Sequence, residues 1–140
     1  TTENAVKPAN SSETISEAMY FHRAIQAFWL GHSERCHHYA GKVLQVSSVT
    51  GRLSNIVIMF IHGLNSFQVL KRQNTTKLRT IPKQAITALK TATSHSRWNF
   101  QNKLHLLEAE NFSFHGKHEQ AKASYAAAIT SARCSRFIHE

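Results

Sequence analysis

Ten histidines, two cysteines and eight glutamates are the side chains of this 140-residue chain that could do chemistry, and aspartate is absent altogether. Zinc would need three or four converging His, Cys or carboxylate ligands, most simply two His four apart on a helix with a Glu between them. His115 and His118 straddle a turn, His37 and His38 are neighbours that point in different directions, and His22, His62 and His105 stand alone along helical stretches. Cys36 and Cys134 lie far apart, form no Cys-x-x-Cys pair and read as buried free thiols. Glu108 and Glu110, two apart on one helix, face different ways and so cannot work as a pair. No Gly-rich phosphate loop and no Gly-x-Ser-x-Gly elbow occurs. The chain is read as non-catalytic, with no metal ligands and no cofactor.

Its charge is more informative. The formal net charge is +9, and between Glu34 and Glu108 there is no carboxylate, whereas Arg35, Lys42, Arg52, Lys71, Arg72, Lys77, Arg79, Lys83, Lys90, Arg97 and Lys103 all fall inside that gap. A purely cationic middle attracts acidic proteins, nucleic acid or anionic lipid over long range and in a salt-sensitive way. Lys71, Arg72, Lys77, Arg79 and Lys83 form a basic patch, with residues 73–79 read as an exposed loop. Aromatic residues do not interleave with these cations, and stacking on single strands needs exposed rings, so an acidic polypeptide ranks ahead of nucleic acid as partner. A surface that is merely solvated remains the plain alternative.

These residues must be carried on helices. Five Gly and two Pro leave few places to break one, and strand-like alternation is nowhere sustained. The clearest stretch is residues 98–136, which reads as two antiparallel helices, 96–115 and 117–135, with Gly116 at a left-handed turn between them. Ala121, Tyr125, Ala128, Ile129 and Ala132 recur at three-and-four spacing and predict a buried face, against which Leu107 and Phe112 supply volume.

Ala109-x-x-Phe112 and Ala121-x-x-x-Tyr125, joined by Gly116-Lys117-His118-Glu119-Gln120-Ala121, resemble a degenerate tetratricopeptide-type repeat. Trp98-Asn99-Phe100, Leu106-Leu107-Glu108-Ala109-Glu110 and Phe137-Ile138-His139-Glu140 are also similar to the helical-repeat arm of large predicted ATPase signalling proteins with histidine-kinase or sensor regions. That likeness implies a connecting, partner-sensing arm of a signal-transduction protein, with ATP chemistry carried elsewhere.

Taken in order, residues 1–11 are polar and read as a linker, and Thr14-x-x-Glu17 is a candidate capping box for the first helix. Gly31-His32-Ser33-Glu34-Arg35-Cys36 is similar to the later turn, with Cys36 where Ala121 stands. After a connector at 47–51, a third helix near 53–72 is apolar on more than one face and should be the most buried; its His62, Gly63, Asn65 and Ser66 argue against a membrane span. Pro82 suits the first turn of a fourth helix that ends near Thr93. Matching Cys36, Ala85 and Ala121 gives spacings of 49 and 36, which implies an enlarged middle hairpin.

The expectation is therefore an all-α, TPR-like α-solenoid of about six helices. Its stacked antiparallel hairpins would span roughly 12–46, 52–94 and 96–135 of a helical-repeat domain covering 12–140, itself a piece of a longer protein. The first helices of such a stack build an inner concave surface, on which Tyr20, Arg23, His62, Asn65, Asn102, Lys103 and His105 could meet a peptide or a neighbouring domain. No charged segment precedes an apolar run at the N-terminus, and the chain is read as intracellular and cytoplasmic; Asn10, Asn74 and Asn111, each in an N-x-S/T triplet, would matter only outside the cell.

Overall fold

Two glycines set the folding pattern. Gly31 and Gly116 sit at φ +71° and +74°, in the left-handed region where a Cβ is strained. Each closes the same motif. His32 N–H donates to the Ala27 carbonyl at 2.8 Å and Gly31 N–H to that of Phe28, while Lys117 N–H donates to Phe112 at 2.9 Å and Gly116 N–H to Ser113. In both cases the chain reverses and a new helix begins at once. Its first bond joins Cys36 N–H to His32 in one hairpin and Ala121 N–H to Lys117 in the other, each at 2.9 Å. The equivalence of Cys36 and Ala121 read from sequence thus has a hydrogen-bond basis.

The structure, a computed structural model, describes residues 11–46 and 53–136. They form six helices and no strand: α1 (Ser11–Trp29), α2 (Ser33–Val46), α3 (Leu53–Arg72), α4 (Thr76–His95), α5 (Arg97–Phe114) and α6 (His118–Cys134). The all-α expectation holds. Residues 1–10 of the expected linker, the connector at 47–51 and the segment 137–140 lie outside the described residues, whereas Ser11 already belongs to α1. Thr14 is therefore inside α1 rather than at its cap.

The turn between α3 and α4 corrects the sequence reading. It is three residues, 73–75, no longer than the turns at 30–32 and 115–117. Thr75 caps α4 by accepting the Leu78 N–H at 3.3 Å, and Asn74 Oδ1 accepts from Arg79 Nε at 2.7 Å. These local side-chain bonds start the helix two turns before Pro82, which lies inside α4 instead of in its first turn. Lys77 and Arg79 are consequently helical residues and not loop residues. The middle hairpin is enlarged through its two helices of 20 residues each and not through its loop; α2, α4 and α6 begin at residues 33, 76 and 118, so the unit recurs after 43 and 42 residues. That spacing is regular and longer than the 34 residues of a tetratricopeptide unit.

Each helix packs on the next in sequence, and α3 also touches both α1 and α5. Among the described residues α2, α4 and α6 make no such contact with one another. Buried at the centre, α3 contributes to three apolar clusters. Phe67 and Leu70 meet Ala85 and Leu89 of α4 and Leu104 and Leu107 of α5; Ile58 meets Ala24, Ala40 and Val43; Ile61 meets Ala27 and Cys36. Gly63 permits the closest approach. A Cβ there would lie 2.6 Å from the Ala85 Cβ and 3.1 Å from Leu107 Cδ1. The glycine that interrupts the apolar run is thus the point where three helices meet. By length and composition α3 is the one described helix that could cross a membrane, and half of that stretch is buried inside this fold.

Candidate functional site

Of the seven residues expected on an open inner face, three are buried. His62 is 6% exposed, Asn65 4% and Asn102 5%. Asn65 Nδ2 donates to the Ser33 carbonyl at 2.8 Å and ties α3 to the start of α2. His62 stacks on His37 of α2, ring centroids 5.1 Å apart. Both Nδ1 atoms are buried without a hydrogen-bond partner. Burial, and then the neighbouring His37, pushes the His62 pKa down to about 4, so this imidazole is neutral at ordinary pH. The spacing of polar residues on α3 matched an exposed stripe, but α3 has helices on too many sides to leave one.

The other four do not share a surface. Tyr20 stacks on Tyr39 at 6.3 Å, and Arg23 Nη1 donates to the Tyr39 hydroxyl at 3.5 Å, so both belong to the side where α1 meets α2. His105 lies 3.7 Å from Glu108 and lines a shallow groove between α5 and α6. Lys103 alone borders the space between the first helices of the three hairpins.

That space is an apolar groove of about 370 Å³. Ile25, Phe28 and Trp29 of α1, Val57, Phe60, Ile61 and Leu64 of α3, and Leu106 of α5 form its walls, and Lys103 is its one charged residue among the described residues. Trp29 is 75% exposed. Sequence reasoning missed these residues because it sought polar side chains on the inner face; the signal available was Phe28-Trp29, with Trp29 two residues before the helix-ending Gly31. A second cleft, about 360 Å³, lies between α1 and α2 and is lined by Arg23, Gln26, Ala27, Leu30, His32, Arg35 and Tyr39. Hydrogen bonds from Arg23 and then Arg35 pull the Tyr39 pKa below that of an ordinary phenol.

No family model, curated protein or solved structure matches the chain.

Lys71, Arg72, Lys77, Arg79 and Lys83 are all exposed, at the end of the molecule where α3 turns into α4. Arg72 shares a hollow with His32, Glu34 and Arg35, while Arg79 and Lys83 border a cleft that also contains Asn111, Phe114 and His115. The expected patch is thus spread over two helices. The phenyl rings lining that last cleft, Phe67 and Phe114, are buried and half-buried, and the exposed ring beside the cations there is the His115 imidazole.

Other potential chemistry is dispersed. Glu108 lies 4.0 Å from Lys90 on α4, whereas Glu110 accepts from the Tyr125 hydroxyl on α6 at 2.6 Å. Burial, followed by that carboxylate, raises the Tyr125 pKa to about 12. Cys36 is buried, which pushes its thiol up to about 12, but Cys134 is exposed, against the expectation that both would be buried. Among the described residues no three His, Cys, Asp or Glu side chains gather as a metal site would require.

Proposed function

We propose that this chain is a non-catalytic helical-repeat scaffold, a short solenoid of three stacked hairpins that holds a partner polypeptide against its first helices. The observation that carries this reading is the groove of Trp29, Phe28, Phe60 and Leu106 along α1, α3 and α5. Such a groove accepts apolar anchors from a helix or extended segment, and exposed aromatic residues dominate the energetics of contacts of this kind. The packing of α3 on α1 and α5, with no contact among α2, α4 and α6, supports a stack in which the first helices form one layer. Charge gives the partner its sign. Lys103 at the groove and a net charge of +9 favour an acidic segment.

The tetratricopeptide likeness remains a proposal for the third hairpin, supported by buried Ala109 and Ala121 and half-buried Phe112 and Tyr125. With it goes the reading of the chain as the intracellular interaction arm of a signalling ATPase or kinase, in a reducing compartment where Cys36 and Cys134 stay free. The test is affinity capture with wild-type protein and with Trp29→Ala, a change at an exposed side chain that leaves the core intact. Acidic polypeptides retained by the wild type and lost by the variant are the expected result. Retention of only neutral or basic ones, or an identical set from both proteins, would overturn it.

Polyanion binding through Lys71, Arg72, Lys77, Arg79 and Lys83 is the second reading, supported by their clustering at one end of the molecule. Electrophoretic titration with RNA at two salt concentrations decides it, and no shift at low salt eliminates it.

A further inference from the structure

The cleft between α1 and α2 has the chemistry of an anion site. Arg23 reaches Tyr39 from α1, its guanidinium 5.6 Å from the ring centroid and Nη1 3.5 Å from the hydroxyl. Arg35, one turn before Tyr39 on α2, lines the same cleft and is the second cause, after Arg23, of the lowered Tyr39 pKa. Two planar forks of five N–H donors each therefore line one cleft beside a single phenol oxygen, which can satisfy only a small part of them. Among the described residues no carboxylate lines the cleft; Glu34 lines the adjacent hollow, which it shares with His32, Arg35 and Arg72. The opening turn of α2, a helix of 14 residues, adds the positive end of its dipole beside His32 and Arg35.

We propose that this cleft binds a phosphate monoester, with Arg23 and Arg35 gripping its oxygens and the Tyr39 hydroxyl donating to a third. A phosphate monoester fits the donor set because it brings nearly two negative charges and three acceptor oxygens, and paired guanidinia match it bidentately. At about 360 Å³ the space exceeds what the phosphate alone fills, so the group arrives on a carrier, either a phosphorylated side chain or a small phosphate ester. The Tyr39 pKa is lowered first by hydrogen bonding from Arg23 and Arg35, and a bound dianion that engages those guanidinia must raise it again. None of this depends on the groove between α1, α3 and α5.

Calorimetric titration with glycerol phosphate, with a phosphoserine peptide and with its unphosphorylated twin tests the assignment. The expected result is saturable binding of the phosphorylated probes only, weakened about tenfold or more by Arg23→Gln or Arg35→Gln, both at exposed positions, and unchanged by Lys77→Gln. Binding of both probes points to the small ester as sufficient, and binding of the phosphopeptide alone assigns a phosphorylated polypeptide. Tyrosinate absorbance, assigned to Tyr39 by difference with Tyr39→Phe, should shift to higher pH when the probe is bound. The proposal is overturned if neither probe binds, or if Lys77→Gln weakens binding as much as Arg35→Gln does, since that is the mark of diffuse attraction.

Discussion

Helices α3 and α6 each follow a short connection and carry an apolar stripe, but they end in opposite environments. Four helices pack on α3, and ten of its residues are buried, including Asn55, His62, Asn65 and Ser66. Among the described residues only α5 packs on α6, where Ala121 and Ala128 alone are buried and Ile129, expected on the covered face, is 54% exposed. The stripe of a helix states which side can be buried; how much is buried depends on how many neighbours arrive. For α3 the neighbours exceed the stripe, and polar residues are carried inside with it. For α6 they fall short.

The sharpest way to test that contrast is to remove volume where the neighbours are densest. Leu107 is fully buried against α3 and α4, not turned to α6 as its spacing suggested. Leu107→Ala should cost about 2–5 kcal/mol, the range for a leucine whose cavity cannot collapse. Denaturant unfolding of the full chain measures it. A loss below about 1 kcal/mol would mean that the centre is loosely packed and the contrast with α6 is false.

Next in size is the acid response of α3. In the folded protein His62 has a pKa of about 4, against 6.5 for a free imidazole. The unfolded chain therefore binds a proton that the folded chain refuses, and stability is full above about pH 6.5 and declines as pH falls toward 4. The fall amounts to about 3 kcal/mol and levels off below the folded value. In His62→Gln the slope over that window should flatten relative to wild type. Parallel curves for the two proteins would show that His62 is hydrated or hydrogen-bonded in solution.

Much of the fold was legible because short-range rules wrote it. Gly31 and Gly116 needed only their own φ to end a helix, and the bounds of α3 followed from apolar periodicity. The start of α4 was missed for an equally local reason, since Thr75 and Asn74 form a cap that Pro82 overshadowed. The candidate surfaces were much less legible. Whether Asn65 faces a ligand or the Ser33 carbonyl, and whether Trp29 is core or groove, depends on the position of a helix tens of residues away. Periodicity gives a direction on one helix but carries no information about the distance to the next. Arg35 and Tyr39 could have been found, being four apart on one helix, yet Arg23 joins them only through the pairing of α1 with α2.

The smallest effect is the most diagnostic of α6. With half its surface in water, Ile129 gives up little when replaced, and Ile129→Gln should change the unfolding free energy by no more than about 0.5 kcal/mol. Helix propensity pulls slightly the other way, because glutamine is at least as good a helix former as the β-branched isoleucine, so a small gain is equally consistent. A loss beyond about 1.5 kcal/mol would require that something covers the α6 face in solution, because only a desolvated isoleucine carries that much. Repeating the unfolding over a tenfold range of protein concentration then identifies the cover. A midpoint that rises with concentration assigns it to a second copy of the chain, while a constant one assigns it to the chain itself.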